Sequence, residues 1–232
     1  MHITSRLAAI GTAVACGAVF AALPDRPSRA DTRCDVALVL AIDVSGSIDT
    51  AEYRLQTDGL ALALSDPDVT SALVSGGAAV MVLHWSSVFQ QQVVIPWRRM
   101  QEPGDVEALA RDAGQLRRSF SRSDTAPGEM IAALPALFES APPCLRRVAD
   151  ISGDGPVNAG RPVPPETRRA QQAGITLNAI AIEDRGSGNP ITEFYRRYVI
   201  TPDGFVMTAR GLGDYAPVLR RKLLRELVIP TG

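Results

Sequence analysis

Apolar runs and amphipathic stretches alternate along most of this 232-residue chain. Residues 35–42 form a continuous apolar run of strand length. Residues 50–64 carry their apolar positions at helical spacing, with Asp49 or Thr50 placed to cap the first turn. Asp66-Pro67-Asp68 restarts a short helix toward Leu73, and Gly76-Gly77 makes a turn. A second strand is predicted over 78–85. Residues 88–95 alternate in polarity and predict a third, as an antiparallel edge. Pro103 and Gly104 open a helix to about Phe120, and a polar loop covers 119–125. A helix over 126–140 contains Pro135, which predicts a split or kink. The pattern then gives a strand over 145–152, a Gly/Pro/Asn loop over 153–165 and a helix over 166–173 ended by Gly174. A strand over 175–182, a short helix over 189–198, a last strand over 205–208 and a helix over 214–228 complete the chain.

Strand and helix alternating over most of the chain predict an α/β fold. The expected form is an open, mostly parallel, doubly wound sheet with helices on both faces and one antiparallel edge strand. Composition agrees: aromatics are only 5%, and Ala, Leu and Val dominate the apolar set, as in a helix-covered parallel sheet. With 46% hydrophobic and 21% charged residues the chain can bury one real core. No repeat, low-complexity tract or linker interrupts it. In such sheets ligands bind beyond the carboxyl ends of the strands, where the strand order reverses.

The first 30 residues read as a signal peptide. Arg6 supplies a positive start, an apolar stretch rich in Ala, Val and Gly follows, and Ser28-Arg29-Ala30 places small residues before a cleavage point at Asp31. The apolar stretch is short for a membrane span. The domain proper is then 31–232, with no integral membrane segment in the mature chain and a periplasmic or secreted destination. Net charge moves from −1 to about −3 as three arginines and one aspartate leave. No basic block interleaved with aromatics is present, which argues against nucleic acid as a partner. After loss of Cys16, Cys34 and Cys144 remain. Each precedes a strand that ends near an Asp, so parallel neighbouring strands would start with the two sulfurs side by side, and a Cys34–Cys144 disulfide is expected.

The chemistry gathers where the first strand ends. Asp43, Ser45 and Ser47 place one carboxylate and two hydroxyls at alternate positions. Hard oxygens at that spacing suit Mg²⁺, which prefers octahedral oxygen coordination and retains several waters; Mn²⁺ and Ca²⁺ stay open. Ser and Asp are also ordinary strand-exit and capping residues. Two further loops change the weighing: Asp124-Thr125-Ala126-Pro127-Gly128 precedes a helix, and Ile151-Ser152-Gly153-Asp154-Gly155 ends another apolar strand.

The Asp43-Val44-Ser45-Gly46-Ser47 segment resembles the D-x-S-x-S signature of the metal-ion-dependent adhesion site in von Willebrand factor A domains. In those domains a Thr loop and an Asp loop complete the site. Carried over by type and order, the resemblance implies that Asp43, Ser45, Ser47, Thr125 and Asp154 hold the ion. It covers about residues 35–228. More closely, the chain resembles a family of secreted bacterial single-domain proteins of this fold of unknown function. The segments that carry this are Asp43-Val44-Ser45-Gly46-Ser47, Ile151-Ser152-Gly153-Asp154-Gly155-Pro156 and Arg221-Lys222-Leu223-Leu224. One departure is Ser123-Asp124, where small glycines are usual before the Thr. Asp124 either caps the helix that follows or points inward and adds negative charge beside the ion.

The resemblance implies a metal-dependent protein-binding module, not an enzyme, in which an open coordination position takes a Glu or Asp from a protein partner. The alternative is a structural or assembly protein of the same fold without a working metal site, or a hydrolase. The last would need His84, the one histidine left after His2 departs, and nothing like G-x-S-x-G surrounds any serine. His84 is expected as a satisfied core or rim residue. Trp85, Trp97 and Tyr195 are expected in packing, with a recognition surface as the other reading. Arg220-Arg221-Lys222 with Arg225 is expected as the solvated face of the last helix.

Overall fold

Six strands, β1 (Val36–Asp43), β2 (Ala79–Trp85), β3 (Gln91–Arg99), β4 (Arg146–Gly153), β5 (Ile175–Glu183) and β6 (Val206–Arg210), form one sheet in the order β3-β2-β1-β4-β5-β6. This is a computed structural model, and it describes residues 33–227 apart from 122, 156 and 184–189. The signal expected over 1–30 lies outside the described residues. Every neighbouring pair is parallel except β2–β3, so β3 is the antiparallel edge. The chain winds one way from β1 to β3 and then crosses to β4 on the other side of β1. The strand order therefore reverses between β1 and β4, and their carboxyl ends flank the crevice where such sheets bind ligands.

β1 is buried along its whole length because both faces are covered. Val36, Leu38, Leu40 and Ile42 face the helices α1 (Thr50–Leu64), α2 (Pro67–Ser75), α3 (Pro103–Gly114) and α7 (Tyr215–Leu227). Ala37, Val39 and Ala41 face α4 (Pro127–Glu139) and α5 (Val163–Gln172). Beyond the crevice, α6 (Pro190–Phe194) runs into a wider π turn over Tyr195–Val199, and a short 3-10 turn over Leu212–Asp214 leads into α7.

The helix starts follow local chemistry. The Asp49 side chain accepts from Glu52 N while the Glu52 side chain accepts from Asp49 N, a reciprocal capping box that fixes where α1 leaves the β1 loop. Asp66 caps α2 through the amides of Asp68 and Val69, with Pro67 in the first turn. Several boundaries differ from the expected ones. β3 starts at Gln91 rather than 88, because residues 86–90 close a turn. Its Pro96 is tolerated on an edge strand beside a register shift opposite Met81. α3 ends at Gly114, short of Phe120. α4 stays continuous through Pro135, since Met130, Ile131, Leu134 and Phe138 bury its face and offset one lost backbone bond. α5 begins at Val163, where Pro164 and Pro165 fall in a first turn whose amides have no intrahelical partner.

Two features depart from the expected surface. Lys222 is fully buried, so the basic run of α7 is not a uniformly solvated face. Its ammonium meets Asp150 at 2.5 Å and contacts Glu226, while Arg220 pairs with Asp66 and Asp68. Phe89, in the β2–β3 turn, has φ 60°; among the described residues it is the one non-glycine at positive φ. That conformation costs a bulky L-residue about 1–2 kcal/mol. Cys34 and Cys144 are joined by a disulfide, with Cα atoms 4.5 Å apart.

Candidate metal centre

The exits of β1 and β4 and the loop before α4 bring five side chains together. Asp43 is buried, and its Oδ1 accepts from Ser45 N at 2.8 Å. Ser45 Oγ lies 3.3 Å from Ser47 Oγ and accepts from Thr125 Oγ1 at 3.1 Å. Ser47 Oγ donates to Asp154 Oδ1 at 2.7 Å. An octahedral ion with oxygens at about 2.1 Å sets adjacent oxygens about 3 Å apart, which is the spacing of this set. The second oxygen of Asp43 is buried and makes no hydrogen bond, a state that leaves a carboxylate short of a partner. A cation among these oxygens would supply that partner, so the donor set fits a hard divalent ion. Such an ion, when bound, supplies Lewis-acid attraction for a further oxygen ligand. No group of three or more His, Cys, Asp or Glu gathers among the described residues; hydroxyls make up most of the set.

The supporting groups lie one layer out. Arg118 donates to the carbonyl of Val44 from Nε and Nη2, and to that of Ser45 from Nη2 at 2.5 Å, holding the β1 loop from behind. Gly46 N donates to Ser123 O at 2.7 Å, which ties that loop to the Thr loop. Thr125 N donates to Asn158 Oδ1 at 2.7 Å, and Asn158 N returns a bond to Thr125 O. Gly153 is required by space: a Cβ there would meet Tyr195 Oη at 2.3 Å and Asp43 Oδ2 at 3.0 Å. Sequence reading missed Arg118, Asn158 and Gly153 as supports. Nothing marked Arg118 among so many arginines, whereas Gly153 lay inside the quoted Asp-loop segment.

Burial shapes the electrostatics. It pushes the Asp43 carboxyl up to about 7, opposed by the Ser45 hydrogen bond and reinforced by Asp154. It also holds the Tyr195 phenol well above its ordinary value, with the Asp43 and Asp154 charges adding to the effect. Trp85 and Tyr195 are buried, and Trp97 is half-buried with its indole N–H bonded to Leu137 O, so the three pack rather than form a surface. His84 is buried between Tyr53 and Ser119 and does not reach the site. Asp124 is exposed, and the helix start at Ala126 has no side-chain cap, so the expected capping role is not realised. A polar cleft of about 350 Å³ opens beside Ser47 and Asp154, walled by Glu52, Glu183, Ile191 and Leu212.

An open sheet of this order, with an Asp and hydroxyls at its reversal point, is the fold seen in von Willebrand A domains. Proximal thread matrix protein 1 from the mussel byssus, solved with a zinc-occupied MIDAS motif, shares the fold at a TM-score of 0.62 and 20% identity, over 83% of this chain and 48% of that one. A von Willebrand factor type A protein from Catenulispora acidiphila aligns at a TM-score of 0.58 and 20% identity, over 84% and 43%. The pilus adhesin SpaC from Lactobacillus rhamnosus GG aligns at 0.61 and 12%, over 84% and 31%. The chain spans less than half the length of each, and at these identities the likeness is one of fold. No curated protein matches the sequence. Residues 33–231 match the family described as "Protein of unknown function (DUF1194)", and the chain belongs to it.

Proposed function

We propose that this chain is a metal-dependent, adhesion-type protein-binding module. Asp43, Ser45, Ser47, Thr125 and Asp154 hold a Mg-type divalent ion, directly or through water, and an acidic side chain of a protein partner completes its coordination. The observation that carries this reading is the linked cluster of Ser45, Ser47, Thr125 and Asp154 oxygens beside Asp43, whose second oxygen is buried and unbonded. Three of the donors are neutral, and with one of the two carboxylates acting through water the ion keeps positive charge for a partner carboxylate. The zinc in the MIDAS motif of the mussel protein supports divalent metal binding on this fold. No helix among the described residues is long and apolar enough to cross a membrane. We place the module in the periplasm or outside the cell, after removal of residues 1–30, and assign it no catalytic role.

Thermal unfolding of the chain from Asp31 tests the metal site, in EDTA and then in millimolar Mg²⁺, Mn²⁺ or Ca²⁺, beside Asp43→Ala. An ion that binds only the folded state stabilises by about 2.7 kcal/mol at a hundredfold excess over its Kd. The expected result is a rise in Tm with Mg²⁺ or Mn²⁺ that Asp43→Ala abolishes. An equal rise in the variant would sink the assignment.

A further inference from the structure

The β2–β3 turn projects Phe89 into solvent at 90% exposure, with Val88 partly exposed beside it. Isolated surface hydrophobics are ordinary. This one differs in its backbone and its place. A phenylalanine at φ 60° occupies a conformation that Gly, Asn or Asp would adopt more readily, and no buried contact of its ring compensates. Strain of this kind gathers at functional positions. The turn is also firmly held: Ser86 N donates to Gln90 O, Ser87 N to Gln90 Oε1 and the Gln91 side chain to Ser87 O. Its base clasps the Thr loop on both sides of Thr125. Ser86 Oγ donates to Asp124 O at 2.9 Å, and Ala126 N donates to Ser86 O at 2.8 Å. The turn thus holds the Phe89 backbone just beyond the carboxyl end of β2, at the same end of the sheet as the exposed Ser47 and Thr125's loop.

We infer that Phe89 is the apolar anchor at this end of the sheet, so that the protein segment bound there presents a bulky apolar side chain a few residues from its metal-binding carboxylate. The inference rests on the carboxylate-capture reading above. An exposed aromatic on a held backbone, beside a charge-assisted contact, has apolar area to bury against a partner and can exclude water from the ion contact. It also gives selectivity among the many acidic side chains that a metal alone would accept.

Short fluorescent peptides test it. Each carries one central Asp, and is made in two forms that have Leu or Ser at the flanking positions. Polarisation is measured with the chain from Asp31 in Mg²⁺. The Leu form is expected to bind wild type tighter by about fivefold or more. Phe89→Asn is expected to erase that advantage while the Ser form binds unchanged and Tm holds or rises, since Asn suits positive φ. Equal binding of the two forms to wild type, or an advantage that survives in Phe89→Asn, overturns the anchor and leaves carboxylate capture standing. Absent binding, or binding that survives EDTA and Asp43→Ala, overturns carboxylate capture and the anchor with it.

Discussion

Lys222, the one lysine of the chain, meets Asp150 across the α7–β4 interface with neither side chain reaching solvent. The contact is ionic and outside hydrogen-bond geometry, and neither Asp150 oxygen makes a hydrogen bond. Glu226, one turn further on, receives the Asn178 amide at 2.7 Å and contacts the same ammonium. Burial, and then the Asp150 charge, holds Glu226 above the usual carboxylate range. Removing the one cation strands two buried carboxylates. Lys222→Met is expected to cost about 3–5 kcal/mol in urea unfolding at neutral pH. A cost below about 1 kcal/mol would show that the carboxyls are already neutralised by protons.

Gly153 stands between Tyr195 and Asp43. Ala at this position must displace the phenol or the carboxylate, both of which are buried. Gly153→Ala is expected to destabilise by about 1–3 kcal/mol and to weaken Mn²⁺ binding. Denaturant unfolding and a Mn²⁺ titration by electron paramagnetic resonance check the two effects. Unchanged values for both would mean that the neighbours shift freely.

Arg118 touches no donor oxygen, yet it bonds the two carbonyls that frame the β1 loop. Arg118→Met keeps much of the side-chain bulk and removes the donors. Metal affinity is expected to fall by roughly tenfold or more, as for other groups that orient ligands from behind. Calorimetric titration with Mn²⁺ reads this, and a wild-type Kd would refute the supporting role.

His84 gives a pH signature. Burial, and then the Arg118 charge, lowers it to about 4 from an ordinary value near 6.5. Between those values the unfolded chain binds a proton that the folded chain refuses. Stability from this group is therefore full above about 6.5 and is lost as pH falls toward 4, by about 3 kcal/mol. The difference between wild-type and His84→Gln unfolding curves over that window isolates the term, because other titrating groups are common to both. Parallel curves would contradict it.

Much of this fold was readable because its strands are saturated with apolar residues and its helices begin at recognisable caps such as Asp49 and Asp66. The three loops of the candidate site were readable because two leave strand ends and the third enters a helix, and three of its five residues sit within five consecutive positions. What escaped depended on tertiary contacts. Lys222 stands on the apolar stripe of Val218, Leu219 and Leu223, so its helical position argued for burial while its charge argued against. The charge dominated the reading, because only the fold supplies Asp150 as a partner. Val88 and Phe89 have the composition of a strand, but the Ser86–Gln90 bond closes a turn around them. Arg118 belonged to a stretch read as helix; the helix stops at Gly114, which frees the arginine to bend toward β1.

The disulfide lies at the opposite end of the sheet from the candidate metal centre. β1 and β4 leave the Cys34–Cys144 link side by side and deliver Asp43 and Asp154 at their far ends, roughly 30 Å away. A slip of one residue between these strands would swap their faces and misplace both loops. The covalent tie acts as a clamp at the hinge of a pair of tongs: it grips nothing itself, and it keeps the tips in register.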